Sequence, residues 1–284
     1  MTTDAPWATR STLRADLARI GLAAGDIVMI HAALRRVGPI LGGPDSLIDA
    51  LRDAVGPAGT ILAYTDWEAD YERLADAGGR VPARWRDEIP PFDPARSRAA
   101  RDNGAFAELV RTTPGARRSG NPGASVTALG AEADRLTRDH PLDYGYGPGT
   151  PFARLVASGA KVLMLGAPTD TMTLLHHAEH LAALPDKRVK RIEVPLLSGA
   201  TRIWRMIEEF DTSDPVTPAL PQDAFARIVA DYVAGGGAAR EAHIGRAPSL
   251  LVPAAAIVPF AVAWMEAHVR AEAGREEERQ GGAA

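Results

Sequence analysis

Cysteine is absent from all 284 residues of the sequence. Structural disulfides, thiolate zinc sites and a cysteine acyl-enzyme are therefore excluded. Long hydrophobic runs are also missing, since no segment approaches the roughly 18 apolar residues that cross a bilayer. The opening residues Met-Thr-Thr-Asp-Ala-Pro-Trp are neither basic nor followed by an apolar stretch, unlike a secretory signal. We expect a cytoplasmic protein that does not enter a membrane.

Charge of one sign is not concentrated anywhere in the chain. The net charge is −4 and the isoelectric point is near 6.0. The basic residues are nearly all arginine and are spread along the sequence, unlike the dense basic face of a nucleic-acid-binding protein. We therefore expect no nucleic-acid partner. With 46% hydrophobic and 24% charged residues, the composition is typical of a globular protein with a sizeable core.

Helical and strand patterns alternate along the chain. The patterns predict a helix over 11–20, a strand over 27–31, a helix over 45–55 and a strand over 59–64. This order predicts a parallel strand pair, and the glycine-rich loop at 36–44 is a natural phosphate site. Further strands are predicted at 124–130 and 161–166, a hairpin at 188–197 and 201–210, and helices at 223–234 and 258–270. We expect one α/β domain over 1–272 with a mixed central sheet, followed by a charged, disordered tail over 273–284.

The segment 171–180 places a hydroxyl, an imidazole and a carboxylate on one helix face. Thr173, His176 and Glu179 are three residues apart and follow directly on the strand at 161–166. Ligands of open α/β sheets bind at the carboxyl ends of strands. An imidazole oriented by a carboxylate is the commonest apparatus for taking a proton near neutral pH, so the segment predicts a general base.

The same segment permits two other interpretations. His176, Glu179 and His180 form the pattern H-x-x-E-H, an inverted metalloprotease signature that would need a third zinc ligand downstream. Acidic residues are plentiful there, so spacing alone does not exclude zinc. Histidines that only decorate an amphipathic helix would also give this pattern.

Acidic and aromatic residues are interleaved over 66–93, beginning with Asp66, Trp67, Glu68 and Tyr71. A solvated loop would look similar. Loops of this length inside a compact domain are usually functional, and acids beside aromatic rings suit a polycationic ligand with sugar-like faces.

Several ordered motifs resemble the aminoglycoside 3-N-acetyltransferase family over nearly the whole chain. The segments that carry the resemblance are VMIHAALRRVG at 28–38, GGP at 42–44, GTIL at 59–62, PFDP at 91–94, RSGNP at 118–122, DYGYG at 143–147, LGAP at 165–168, TLLHHAE at 173–179 and FDTSD at 210–214. Asn121 stands where the family often has histidine, so we expect its side chain to serve only a turn.

The resemblance implies a three-layer α/β/α antibiotic acetyltransferase fold, distinct from the GNAT fold. It implies transfer of acetyl from acetyl-coenzyme A to the 3-amino group of a 2-deoxystreptamine aminoglycoside, without a metal and with antibiotic resistance as the consequence. The family allows a monomer or a homodimer.

The resemblance also implies roles for particular residues. His176 would be the base, oriented by Glu179 or by the pair Glu209 and Asp211, and Thr173 would donate to the oxyanion. Coenzyme A would contact His31, Ala32, Ala33, Leu34, Arg35, Val37, Gly42, Gly43, Arg118 and Ser119, although His31 also fits an ordinary buried histidine. The aminoglycoside would contact Asp66, Trp67, Glu68, Tyr71, Asp143, Tyr146 and Asp214.

Three alternatives remain open from the sequence. In the first alternative the acetyl acceptor is another amine, such as an antibiotic biosynthetic intermediate, because the same base and coenzyme loop would serve any amine that docks. A zinc hydrolase would use His176, Glu179 and His180. A non-catalytic aminoglycoside-binding protein would keep the acidic loops and tolerate loss of His176.

Overall fold

The computed structural model describes residues 7–213 and 215–281, with side chains described up to Arg275. Within these residues the chain forms nine strands. They are β1 (Ile27–Ala32), β2 (Thr60–Tyr64), β3 (Arg117–Arg118), β4 (Val126–Gly130), β5 (Lys161–Leu165), β6 (Val189–Ser198), β7 (Thr201–Phe210), β8 (Arg240–Ile244) and β9 (Ala247–Pro253).

Seven of these strands form one mixed sheet in the order β3-β4-β2-β1-β5-β9-β8. Strand β1 is parallel to both of its neighbours, with Ile27 opposite Thr60 of β2 and Val28 opposite Lys161 of β5. The other pairs in the sheet are antiparallel. The predicted mixed sheet and its parallel pair are confirmed, and the carboxyl ends of β1, β2 and β5 meet at one edge.

Ten helices accompany the strands in the described part of the chain. They are α1 (Arg10–Ile20), α2 (Leu34–Val37), α3 (Pro44–Val55), α4 (Ala83–Arg86), α5 (Gly104–Thr112), α6 (Ala133–Thr137), α7 (Pro151–Ala157), α8 (Leu174–Leu181), α9 (Ala224–Ala234) and α10 (Ala254–Gly281). None of the helices described here is long and apolar enough to cross a membrane.

Helices cover both faces of the sheet. On one face, α1, α3 and α5 bury residues that include Leu17, Leu51 and Val110. On the other face, α6 to α10 bury a second cluster that includes Phe152 and Leu175. Successive residues of a strand point to opposite faces, so β1 and β2 contribute to both clusters. The three-layer α/β/α architecture expected from the resemblance is confirmed.

The ends of α1 show how the sequence sets helix boundaries. Thr9 is the N-cap, and its side chain and that of Thr12 form a reciprocal capping box. Gly21 follows the helix, and its amide donates to Ala18 O. Its φ is 107°, a backbone conformation that glycine adopts without strain.

Strands β6 and β7 stand apart as a two-stranded hairpin, onto which the segment 66–93 packs. Glu193 of β6 is 5% exposed and accepts a hydrogen bond from Val81 N at 3.1 Å. Its carboxylate also pairs with Arg80 and Arg86. Glu193 N donates to Gly79 O at 2.8 Å. A segment that reads as a loop is thereby fixed to the hairpin through a buried, paired carboxylate.

The structure contains several elements that the sequence patterns do not predict. They are the helices α2, α4, α5 and α6 and the strands β3, β8 and β9, of which β8 is a largely polar strand at the sheet edge. Helix α10 continues from Ala254 to Gly281, past the predicted end at 270. The expected tail is therefore helical over 273–281, where Glu and Arg favour a helix, and residues 282–284 lie outside the described residues.

Gly79 supports a prediction about this packing. Its φ is 74°, and a Cβ at this position would lie 2.0 Å from Arg191 O. Gly199, in the turn of the hairpin, has a φ of 60° but no heavy atom within 4 Å of its ideal Cβ. Gly199→Ala should lower the free energy of unfolding by about 1–2 kcal/mol, the cost of left-handed backbone alone. Gly79→Ala should cost at least about 3 kcal/mol, because backbone must also move.

Urea unfolding of the two variants beside the unsubstituted protein measures this difference. Equal losses in Gly79→Ala and Gly199→Ala would mean that the segment 66–93 yields without cost and is not held against β6.

Candidate active site

Two cavities lie side by side at the carboxyl edge of the parallel strands. The first, which we call the edge cavity, is about 350 Å³. It is lined by the ends of β1 and β2, the start of α5 and the entry to α8, including His31, Ala32, Ala33, Tyr64, Asn103, Thr173 and His176. The second, the hairpin cavity, is about 230 Å³. It lies between β2, the segment 66–72 and the hairpin, and its lining includes Tyr64, Asp66, Trp67, Tyr71, Glu72, Tyr146, Lys190, Glu209 and Asp211.

The His176 imidazole is oriented by a buried carboxylate. Nδ1 of His176 lies 2.6 Å from Glu179 Oε2, and the Glu179 residue is 4% exposed. Since a carboxylate only accepts, Nδ1 carries the proton and Nε2 is left as the basic nitrogen. The rings of Tyr146 and Phe225 flank the imidazole at centroid distances of 5.1 and 4.9 Å. Glu179 thus fixes the ring through Nδ1, and the role of His176 as a general base stays a prediction.

Glu209 and Asp211 do not orient His176. Glu209 accepts a hydrogen bond from Gly145 N at 2.5 Å, and its Oε1 lies 3.0 Å from His180 Nε2. Asp211 accepts from the Ser213 hydroxyl at 2.5 Å. Of the two carboxylate arrangements that the sequence allows, the structure has the pair with Glu179, and the assignment of Glu209 and Asp211 to this task is corrected.

The pattern H-x-x-E-H is divided between two separate pairs. His176 contacts Glu179, whereas His180 faces Glu209 on the hairpin. Among the described residues, no group of three histidine, aspartate or glutamate side chains is placed to hold a metal ion. The signature therefore has an explanation in local His–carboxylate contacts.

Thr173 occupies the N-cap position of α8 and lines the edge cavity. It is 8% exposed, and its side chain makes no capping hydrogen bond to the helix. Thr173 and His176 line the same cavity, and the donation of the Thr173 hydroxyl to an oxyanion stays a prediction.

His31, on β1, is a second imidazole in the edge cavity. Burial, together with the nearby His176, lowers its pKa to about 4. Its Nε2 is buried without a hydrogen-bond partner among the described residues. His31 is therefore neutral near pH 7.

The strand-loop-helix segment after His31 only partly fits the expected coenzyme site. Ala32 and Ala33 line the edge cavity, and Leu34 lines an apolar cavity of about 820 Å³. However, Ala33 N donates to Leu165 O at 3.0 Å and Gly43 N donates to Ile40 O at 3.0 Å. The expectation that these two amides bind phosphate is corrected, because both already have protein partners.

The remaining residues of this segment differ in exposure. Arg35 is exposed to solvent. Val37 is 1% exposed and belongs to the core, so its side chain is not a coenzyme contact. Gly42 takes a φ of 83° in the turn before α3.

Arg118 and Ser119 are structural rather than part of the coenzyme site. Arg118 donates to Ser97 O at 2.5 Å and to Thr65 O, and burial lowers its pKa to about 10. The Ser119 hydroxyl contacts His140 Nδ1 at 2.8 Å and is 1% exposed. Their predicted contact with coenzyme A is corrected, because their polar atoms are used inside the protein.

Asn121 serves the turn to which it was assigned. Its Oδ1 accepts from Gly123 N and Ala124 N, each at 2.9 Å, and its Nδ2 donates to Pro141 O at 2.7 Å.

Four carboxylates line the hairpin cavity: Asp66, Glu72, Glu209 and Asp211. The cation in its lining is Lys190, whose Nζ lies 2.6 Å from Glu72 Oε2. Trp67 and Tyr71 form an aromatic wall with ring centroids 5.3 Å apart. The predicted combination of acids and aromatic rings is therefore assembled, although Glu72 and Lys190 were not predicted.

Asp66 is the most perturbed of these acids. Burial raises its pKa to about 7, against the effect of Asn103, whose Nδ2 donates to Asp66 Oδ1. Asp66 lies in the hairpin cavity and Asn103 in the edge cavity, so their hydrogen bond joins the two.

Two of the predicted acceptor residues lie elsewhere. Glu68 accepts from Arg101 N at 2.8 Å and lines the apolar cavity beside Leu34. The Asp143 side chain is 44% exposed and pairs with Arg205 at 3.1 Å. Both assignments are corrected, since neither carboxylate lines the hairpin cavity, and Asp214 lies outside the described residues.

Sequence reasoning missed Tyr64 and Asn103. Tyr64 is the last residue of β2, a strand that was predicted, and its place at the carboxyl end is a signal that would have identified it. Asn103 belongs to the short turn before α5, for which the sequence offered no assignment.

Comparisons with known proteins agree on one family. The sequence profile of the aminoglycoside 3-N-acetyltransferases matches residues 29–266. Aminoglycoside N(3)-acetyltransferase III of Pseudomonas aeruginosa is 43% identical over 247 residues, covering 87% of this chain and 89% of the relative. Aminoglycoside N(3)-acetyltransferase VIII of Streptomyces fradiae is 42% identical over 274 residues, covering 94% of each.

Solved structures give the same answer. AAC-IIIb in a binary complex with CoASH superposes with a TM-score of 0.90 at 62% identity, covering 92% of this chain and 97% of that one. AAC-VIa bound to sisomicin superposes with a TM-score of 0.87 at 38% identity, covering 92% of this chain and 98% of that one.

The raised pKa of Asp66 predicts a pH dependence of stability. The folded protein keeps a proton on Asp66 up to about pH 7, whereas the unfolded chain loses it near pH 4. Because the unfolded state binds fewer protons in this window, Asp66 makes stability fall as pH rises from about 4 to 7. Asp66→Asn should remove that contribution, at most about 1.4 kcal/mol per pH unit.

Urea unfolding at pH 5 and pH 7 tests this prediction. Asp211→Asn is the control in the same cavity, because the pKa of Asp211 is lowered, chiefly by the Ser213 hydroxyl against burial, and its titration lies below the window. The assignment fails if Asp66→Asn and Asp211→Asn have the same stability difference between the two pH values.

Proposed function

The chain belongs to the aminoglycoside 3-N-acetyltransferase family, and from this premise we propose how its residues transfer acetyl from acetyl-coenzyme A to the 3-amino group of a 2-deoxystreptamine aminoglycoside. The observation that carries the proposal is the buried His176–Glu179 pair in a cavity that adjoins four carboxylates. The base faces the acetyl donor, and the carboxylates hold the cationic acceptor.

The first step is removal of a proton from the acceptor. An aminoglycoside amine is protonated near neutral pH and has no lone pair for attack. His176 Nε2 takes this proton, while Glu179 accepts from Nδ1 and stabilises the imidazolium. A positioned base of this kind contributes about 10²–10⁴-fold in rate.

The second step is direct acyl transfer. The amine nitrogen attacks the thioester carbonyl carbon, a C–N bond forms and the C–S bond breaks. The imidazolium proton passes to the departing sulfur, giving the free coenzyme thiol, and the second ammonium proton leaves to solvent. Thr173 donates its hydroxyl to the oxyanion during the attack. The amine is the nucleophile in this scheme and no acyl-enzyme forms, the cysteine route being excluded because the chain has no cysteine.

Coenzyme A enters through the edge cavity in this scheme. The acetyl group and its thioester lie against His31, Ala32 and Ala33. The apolar cavity beside Leu34 and exposed Arg35 are left for the rest of the coenzyme, with Gly42 shaping the loop.

The aminoglycoside occupies the hairpin cavity. Each ammonium group loses hydration on binding and needs a carboxylate in exchange, which Asp66, Glu72, Glu209 and Asp211 supply. Trp67 and Tyr71 offer apolar faces to the sugar rings. Acetylation removes one positive charge from the antibiotic, which accounts for resistance, and we place the reaction in the cytoplasm, where acetyl-coenzyme A is available.

His176→Ala should abolish acetyl transfer and leave antibiotic binding largely intact, because His176 lies in the edge cavity and the carboxylates do not. Glu179→Gln should keep the contact with His176 Nδ1 but lose the negative charge, so kcat should fall less than in His176→Ala. Release of coenzyme A thiol with kanamycin-type, gentamicin-type and neomycin-type antibiotics measures turnover, and calorimetry measures binding. His268→Ala on α10, stacked on Trp264, is the control and should retain turnover.

Turnover that survives in His176→Ala would refute the base. If the unsubstituted protein acetylates none of the panel, the acceptor is a different amine. Stoichiometric zinc with chelator-sensitive hydrolysis would replace the acetyltransferase proposal altogether.

A further inference from the structure

Tyr64 occupies the boundary between the two cavities. It is the residue common to the linings of the edge cavity and the hairpin cavity within the described ranges. Its side chain therefore lies between the carboxylates of the hairpin cavity and His176 of the edge cavity. The present inference rests on the proposed function, in which the reacting amine of the aminoglycoside lies beside Tyr64.

The Tyr64 hydroxyl belongs to a short hydrogen-bonded chain. Tyr64 Oη lies 2.6 Å from Tyr146 Oη and 2.9 Å from Gly123 O. Tyr146 Oη is farther from Gly123 O, at 3.3 Å. A carbonyl oxygen only accepts, so the shorter distance assigns the Tyr64 proton to Gly123 O and the Tyr146 proton to Tyr64 Oη.

The hydroxyls of Tyr64 and Tyr146 therefore keep free lone pairs but have no free O–H to donate. Both hydroxyl protons are used within the chain of contacts, whichever tyrosine donates to Gly123 O. A ligand that meets the pair must therefore donate. An ammonium or amine N–H satisfies this requirement, whereas a carbonyl or carboxylate oxygen does not.

The pair is also fixed beside the base. The Tyr146 ring lies 5.1 Å from the His176 ring and 5.0 Å from the Phe152 ring. Burial raises the pKa of both phenols above the usual range, so both stay protonated and neither competes with His176 for the proton. The hydroxyls are acceptors at a defined place and not bases.

We infer that the Tyr64 hydroxyl, held by Tyr146, accepts a hydrogen bond from the reacting amine and directs the nitrogen lone pair toward the acetyl group. Tyr64 contacts the reacting atom, and Tyr146 acts through Tyr64 as a positioning residue. A hydrogen bond fixes one N–H of the amine, which leaves the nitrogen fewer orientations from which to attack.

Tyr64→Phe, Tyr146→Phe and the double variant test this assignment with acetyl-coenzyme A and an aminoglycoside that the unsubstituted protein acetylates. Tyr64→Phe should lower kcat about 10- to 100-fold, as expected for a hydrogen bond to a charged donor. The dissociation constants for aminoglycoside and for coenzyme A should each change less than about threefold, because several carboxylates and the other cavity are untouched. The double variant should lose no more than Tyr64→Phe, since the hydroxyls act as a unit.

Tyr232→Phe is the matched control. Tyr232 lies on α9 and packs against Phe260 outside both cavities, and its hydroxyl, unlike that of Tyr64, has no hydrogen-bond partner among the described residues. It should leave kcat unchanged, and thermal unfolding should show all variants folded at the assay temperature.

Unchanged kcat in Tyr64→Phe would overturn the inference while the proposed function stands. A loss confined to the affinity for coenzyme A would also overturn the inference, because Tyr64 would then contact the coenzyme and not the amine. If the unsubstituted protein does not acetylate any aminoglycoside, the proposed function itself fails, which is a different result.

Discussion

Parallel pairing of β1 with both β2 and β5 is the constraint on which the site depends. It brings three strand ends, at Ala32, Tyr64 and Leu165, to one edge of the sheet. The antiparallel strands β4 and β9 on either side complete the sheet and bring their amino ends to this edge. Each parallel end then delivers a different component: the imidazole of His31, the phenol of Tyr64 and, after the turn that follows β5, the helix that carries His176.

The carboxylates of the site divide by their partners. Glu179 lies 2.6 Å from Nδ1 of His176, a partner on its own helix inside the protein. Asp66 is buried with only an amide donor, Asn103, and burial raises its pKa to about 7. The first arrangement suits permanent orientation of a base. The second suits a ligand that brings its own positive charge, because an arriving ammonium supplies the partner that the protein withholds.

Sequence patterns identified what is local and missed what depends on long-range packing. The strand at 161–166 and the spacing of His176 and Glu179 come from residues near one another in the chain, so period and spacing were enough. Arg118 illustrates the failure: its guanidinium looks free in the sequence, but carbonyls from distant Thr65 and Ser97 occupy it. Glu68 and Asp143 failed for the same reason, since the backbone amide of distant Arg101 and the side chain of distant Arg205 decide where these loop acids point.

The hairpin of β6 and β7 forms a sheet of its own beside the central sheet. Among the strands of the described residues, β6 and β7 pair only with each other. They contact the segment 66–93 through Glu193 and a small cluster that includes aromatic rings. Ile192 and Val194 of β6 line the hairpin cavity, whereas Glu209 of β7 connects the hairpin to α8 through His180. Tyr64 lines both cavities. In the proposed function, a substitution of Tyr64 therefore changes the contact between acetyl-coenzyme A and the aminoglycoside, whichever aminoglycoside binds in the hairpin cavity.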